Sequence, residues 1–135
     1  YSVGPMPAKM EDAYAHAVTV LRAIERGIRP GAVAGDLYAA GLAVAAATPY
    51  AENFMGPPGY NTKFIGHGIG IEVDEFPFVA KGAPTVLAPG MVFALEPKFV
   101  FPGEGAVGLE NTYLVTADGF ETLTPLDEGV LRCDG

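Results

Sequence analysis

A change of pattern near Lys63 divides this chain into a helical part and a strand-forming part. Before it, apolar residues recur every three or four positions over 7–26 and 33–47, which predicts two amphipathic helices. After it, apolar runs alternate with turns that contain Gly and Pro, which predicts strands. The predicted strands lie near 64–72, 91–99, 107–116 and 120–124. Helices followed by strands indicate an α+β fold in one domain or the larger part of one.

Turn residues mark the ends of both predicted helices. Gly27 and Pro30-Gly31 follow the first helix, and Thr48-Pro49 ends the second. The second helix carries a stripe of small residues, which would let it approach a sheet closely. The Gly-Pro-Pro-Gly sequence at 56–59 rules out regular structure around it, so we predict a loop there.

Length and composition exclude several classes of protein. The chain has 135 residues, half of them hydrophobic, so it can bury a core of about one domain. The net charge of −8 argues against a nucleic-acid-binding surface, and no apolar run is long enough to cross a bilayer. Cys133 is the single cysteine, which excludes an internal disulfide and fits the cytoplasm.

Three polar residues stand alone in apolar, strand-like runs. They are His67, Glu96 and Glu110. A buried carboxylate is costly unless something compensates its charge, so one histidine and two such carboxylates suggest a shared cation. Simpler roles also fit two of these positions. His67 can be a hydrogen-bonded structural residue, and Glu96 can pair with Lys98, which lies on the same face of a strand.

The flanking residues of these three positions resemble those of a known family. The motifs are Gly66-His67-Gly68-Ile69-Gly70, Pro89-Gly90-Met91-Val92-Phe93-Ala94-Leu95-Glu96-Pro97 and Gly108-Leu109-Glu110-Asn111-Thr112. Their order and spacing resemble the pita-bread metallopeptidases (peptidase M24), which include methionine aminopeptidase, Xaa-Pro aminopeptidase, prolidase and creatinase. The resemblance implies helices packed on a curved, mainly antiparallel sheet, in a fold that is incomplete at its N-terminus. Residues 1–135 would form a single partial catalytic domain.

The resemblance also implies a pair of divalent metal ions, with Mn, Co, Zn and Fe all open. His67, Glu96 and Glu110 would be metal ligands, and Glu96 would also shuttle a proton. Two further aspartate ligands would lie upstream of Tyr1, so we expect this chain to be the C-terminal part of something longer. None of its own aspartates stands at the matching position: Asp12, Asp36, Asp74, Asp118, Asp127 and Asp134. With three ligands of five, the chain alone is expected to hold metal weakly or not at all, and to be inactive.

Three positions depart from the peptidases where substrate is normally handled. Asp74 and Lys63 stand where histidines are found in relatives, and Gly108 stands where an arginine is common. Asp74 and Lys63 are therefore candidate substrate-binding residues with altered chemistry.

The expected function is that of a dinuclear, metal-dependent Xaa-Pro peptidase-like hydrolase acting on a peptide or small amide. Two alternatives stay open: a non-catalytic pita-bread relative that binds peptides or proteins, and a divergent small-molecule hydrolase or lyase. We expect no nucleic-acid or membrane partner. Exposed sheet edge and apolar surface predict association with another copy of the chain.

Overall fold

A computed structural model describes residues 2–133, so Tyr1 and Asp134 lie outside the described residues. The helices are α1 (Ala8–Glu25) and α2 (Ala34–Ala46), and a short 3₁₀ turn covers Ala51–Asn53. The strands are β1 (Ser2–Val3), β2 (Phe64–Gly68), β3 (Glu75–Ala80), β4 (Val92–Leu95), β5 (Lys98–Phe101), β6 (Gly105–Gly108), β7 (Asn111–Val115), β8 (Phe120–Thr122) and β9 (Arg132–Cys133).

Both helices confirm the predictions to within a residue or two at each end. Pro7 precedes α1, and its carbonyl accepts a hydrogen bond from the amide of Met10 at 2.8 Å. One face of α1 is buried, as its periodicity predicts. The small residues of α2 also serve the predicted purpose, because a Cβ at Gly41 would meet Ile24 Cδ1 at 2.8 Å and Ile65 Cδ1 at 3.1 Å. The second helix therefore lies directly against α1 and the sheet.

The main sheet has five strands in the order β3-β2-β4-β7-β8, and all its neighbours are antiparallel. Two small sheets flank it: the antiparallel hairpin β5-β6, and β1 paired in parallel with β9. The core lies between the helices and one face of the main sheet, where Tyr113, Phe93 and Leu21 are fully buried.

Several predicted strands were wrong in extent. The strand from residue 64 ends at Gly68, and β3 forms where no strand was predicted. The predicted strand 91–99 is two strands separated by Glu96-Pro97, because Pro97 has no amide hydrogen to continue the ladder. The strand predicted over 107–116 is likewise divided at Leu109-Glu110. Glu96 and Glu110 therefore stand at breaks between strands, where their side chains can face a cavity.

A polar network crosses from α1 to β7 behind the sheet. The Tyr113 hydroxyl donates to Glu25 Oε1 at 2.7 Å, and Arg22 Nη1 binds the same carboxylate at 2.6–2.7 Å. Burial raises the pKa of Tyr113, and its hydrogen bond to Glu25 raises that pKa further. Arg22 Nη2 also binds Glu128 Oε2, and Asn111 Nδ2 donates to Glu128 Oε1 at 2.6 Å.

Among residues 2–133, neither helix is both long and apolar enough to cross a membrane.

Candidate metal site

His67 is held in place by close contact of β2 with both neighbouring strands. It pairs with Ala94 of β4, and glycines precede and follow it. A Cβ at Gly66 would lie 2.2 Å from the carbonyl oxygen of Ala94, and one at Gly68 would lie 2.3 Å from that of Phe76. These distances exclude a side chain at either position. Glycine on each side of His67 therefore allows β4 and β3 to pack closely against β2.

The environment of the imidazole determines which nitrogen can bind a cation. The side chain of His67 is 7% exposed. Its Nδ1 lies 3.0 Å from the carbonyl oxygen of Gly68 and 3.2 Å from Asp74 Oδ1. Because both neighbours are hydrogen-bond acceptors, the neutral ring donates from Nδ1 and keeps a lone pair on Nε2. Nε2 is thus the atom available to a metal.

Glu96 presents one oxygen to that nitrogen. Its backbone amide donates a hydrogen bond to the carbonyl of Ile65 at 2.8 Å. This bond holds the segment between β4 and β5 next to β2. Its carboxylate is 17% exposed, with Oε1 3.9 Å from His67 Nε2. The other oxygen, Oε2, accepts a hydrogen bond from Lys98 Nζ. The ion pair with Lys98 that the sequence left open is therefore present together with the approach to His67.

Glu110 faces the same cavity as Glu96. The cavity has a volume of about 270 Å³ and is lined by Glu96, Lys98, Ala106, Val107, Gly108, Leu109 and Glu110. Glu110 precedes β7 and is exposed, so the expectation of a buried carboxylate at this position was wrong. The break between β6 and β7 leaves its side chain open to solvent at the edge of this cavity.

Comparison with known proteins identifies the family. The sequence profile described as Metallopeptidase family M24 matches residues 1–117. This chain belongs to metallopeptidase family M24. Over 119 residues it is 37% identical to "Probable dipeptidase PepE" of Mycobacterium tuberculosis, covering 88% of this chain and 30% of that protein. Over 132 residues it is 30% identical to "Xaa-Pro dipeptidase" of Pyrococcus horikoshii, covering 96% and 35%.

A solved structure confirms the predicted fold. The dipeptidase PepE from Mycobacterium ulcerans superposes with a TM-score of 0.86 at 30% identity, covering 100% of this chain and 34% of that one. The two helices and the antiparallel sheet are thus part of the pita-bread fold of the M24 family. The chain spans about a third of the length of the relatives that it matches.

The residues of this M24 chain fit one part of a metal centre. Two ligands that each lie about 2.1 Å from one cation are roughly 3.0–4.2 Å apart, and His67 Nε2 and Glu96 Oε1 fall within that range at 3.9 Å. An imidazole nitrogen and a carboxylate oxygen are also donors that Mn, Co, Zn and Fe accept. Within residues 2–133, however, no three His, Cys, Asp or Glu side chains form a metal-holding group.

The remaining candidate residues divide between two places. Asp74 contacts His67 on the side of the ring opposite Glu96, with its side chain 64% exposed. Lys63 is exposed and lines a separate cavity, together with Lys81 and Tyr38, so the structure does not bring it to Glu96. The resemblance singled out Asp74, but local periodicity gave no signal of its contact with His67, because residues 69–74 form an irregular loop.

Proposed function

We propose that this chain supplies one part of the dinuclear metal centre of an M24 peptidase. His67 and Glu96 would be ligands, and Glu110 would complete the contribution of this chain from across the cavity. The observation that carries the proposal is the approach of His67 Nε2 to Glu96 Oε1 at 3.9 Å, in the sheet of an M24 fold. The two aspartates expected in the family would come from outside this chain, which would therefore bind metal weakly and turn over no substrate alone.

When bound, two divalent ions supply a hydroxide near neutral pH and polarise the carbonyl of the scissile amide. The residues of this chain support that chemistry in defined ways. His67 would bind metal through Nε2, because Gly68 and Asp74 engage Nδ1. Glu96 is half-buried beside that nitrogen, and its carboxylate would accept a proton and return it to the leaving amine. Mn, Co, Zn and Fe all suit this mixture of donors.

Small peptides are the substrate class that the relatives support. The matched proteins are named as a probable dipeptidase and an Xaa-Pro dipeptidase. The exposed carboxylate of Asp74 stands beside the metal-binding histidine, where it could pair with the ammonium group of a peptide N-terminus. Hydrolysis of a dipeptide or N-terminal amide bond by the whole protein is therefore the function that we infer.

A peptide- or protein-binding role without catalysis is the second candidate. It is favoured by Lys98, whose ammonium already satisfies one oxygen of Glu96, and by the incomplete donor set within residues 2–133. A divergent small-molecule hydrolase or lyase would use the same ligands and differ only in its substrate contacts.

Cobalt binding to the chain tests the proposal directly. We expect weak Co²⁺ binding, followed by calorimetry and visible absorption, that is reduced about tenfold or more in His67→Ala and Glu96→Gln, since each change removes a ligand worth at least about 1.4 kcal/mol. His16→Ala is the matched control, because His16 lies on α1 and pairs with Asp12 at 3.8 Å. Equal affinity in all four proteins would refute the metal site and leave the binding module as the better candidate.

A further inference from the structure

We propose that Lys98 is a positioning residue that serves as a built-in counter-cation for Glu96, and that a divalent metal ion must displace it. This inference rests on the proposed function of His67 and Glu96. It assigns Lys98 a defined part in metal affinity: the ammonium occupies one oxygen of the carboxylate in the metal-free chain and competes with the incoming ion.

The local geometry explains how Lys98 reaches the carboxylate. Lys98 is the first residue of β5 and lies two positions after Glu96, so the two side chains meet at the break between β4 and β5. Its ammonium binds Oε2, and within residues 2–133 the other oxygen, Oε1, accepts no hydrogen bond and faces His67 Nε2. The contact with Lys98 therefore occupies one oxygen of Glu96 and leaves the other facing the histidine.

Gly108 provides the space that this arrangement needs. It lies directly opposite Lys98 in the β5-β6 ladder. A Cβ at position 108 would meet Lys98 Cβ and the carbonyl oxygen of Pro97, both at 2.6 Å, and Lys98 Cα at 2.9 Å. Any side chain at this position would displace the backbone of Lys98 and disturb its contact with Glu96. Glycine at position 108 thus leaves the room that Lys98 needs to reach Glu96.

The charges of the cavity favour exchange of one cation for another. Among the described residues that line it, Lys98 is the one cation, and Glu96 and Glu110 are the two anions. A divalent ion that binds both carboxylates would replace the single charge of the ammonium. The side chain of Lys98 is 39% exposed, so it can move into solvent when the ion arrives.

Replacement of Lys98 by neutral residues tests the competition. We expect Co²⁺ to bind Lys98→Met and Lys98→Gln about threefold to tenfold more tightly than the unchanged chain, because removal of a partly exposed ion pair is worth about 1 kcal/mol and 1.4 kcal/mol is tenfold. Lys98→Arg should keep the original affinity, since a guanidinium also binds a carboxylate. Lys81→Met is the matched control, because it removes the same charge from a different cavity and should change the affinity less than twofold.

The outcomes separate this inference from the proposed function. If His67→Ala and Glu96→Gln lose Co²⁺ binding but both neutral variants at position 98 bind it as the unchanged chain does, or more weakly, the role of Lys98 is refuted and the metal site stands. If no protein in the series binds Co²⁺, the proposed function fails and this inference fails with it. Gly108→Ala provides a test from the opposite strand: tighter binding supports the arrangement, and unchanged binding contradicts it.

Discussion

Gly66 determines how closely β2 and β4 can approach beside His67. The Cβ of any other residue would lie 2.2 Å from the carbonyl oxygen of Ala94 and 2.8 Å from Leu95 Cδ2. That space is filled by the backbone of the neighbouring strand, which cannot move without disturbing the pairing of His67 with Ala94. A residue with no chemistry of its own therefore fixes the distance between the histidine strand and the strand that leads to Glu96.

We expect Gly66→Ala to lower the free energy of unfolding by about 1–3 kcal/mol, the usual cost of overpacking, measured by urea denaturation. It should also weaken Co²⁺ binding, since His67 shifts with its strand. Gly119→Ala is the control, because a Cβ at Gly119 meets nothing within 4 Å. Equal stability of the two variants would show that β2 and β4 can separate without cost.

At the scale of elements, the polar network behind the sheet joins three parts that are distant in sequence. Glu128 lies in the C-terminal segment that follows β8, and it binds Arg22 of α1 and Asn111 at the start of β7. Its carbonyl also accepts a hydrogen bond from the Tyr14 hydroxyl at 2.7 Å. Asn111 directly follows Glu110, so the network holds the backbone next to the third candidate ligand.

Removal of the Glu128 carboxylate should release the C-terminal segment. We expect Glu128→Ala to lower the free energy of unfolding by about 1–3 kcal/mol, because Asn111 and Arg22 lose a charged partner. Proteolysis between β8 and β9 should become faster, as followed by mass spectrometry. Glu121→Ala, on the exposed face of β8, should change neither quantity, and a similar loss in both variants would contradict this role for Glu128.

Local patterns predicted the helices well and the strands less well. The 3.6-residue period and the turn at Pro30-Gly31 are properties of adjacent residues, so the ends of α1 and α2 could be read from the sequence. Strand ends depend on partners that come from elsewhere in the chain. The β3 strand was missed because Pro77 argues against a strand, and here it lies at the edge of the sheet, where a missing donor is tolerated.

The candidate site was predictable in part for the same reason. His67 and Glu96 could be singled out because a polar residue in an apolar strand is unusual, and the structure brings these two together. The exposure of Glu110 depends on how β6 and β7 separate, which no local pattern encodes. The hydrogen bond from Tyr113 to Glu25 joins residues that are 88 positions apart, so no local pattern in the sequence predicted it.

At the scale of the whole molecule, we propose that residues outside this chain complete the candidate site. The chain spans about a third of the length of its relatives, and within residues 2–133 no three His, Cys, Asp or Glu side chains form a metal-holding group. Ile71, Val73 and Phe76 are exposed on and beside the loop that follows His67. Exposed apolar side chains beside the candidate site favour a partner that covers them. Association with another copy of the chain stays a prediction.

The parallel pairing of β1 with β9 brings the first and the last described strands side by side. Val3 lies opposite Cys133 in that parallel register, so Val3→Cys would place two thiols side by side. Oxidation should raise the free energy of unfolding by about 2–4 kcal/mol, because a closed ring has fewer unfolded conformations. Denaturation with and without reductant measures the gain, and Leu42→Cys, exposed on α2, should show none. Folding already brings Val3 and Cys133 together, so a disulfide between them would demand little further ordering of the native chain.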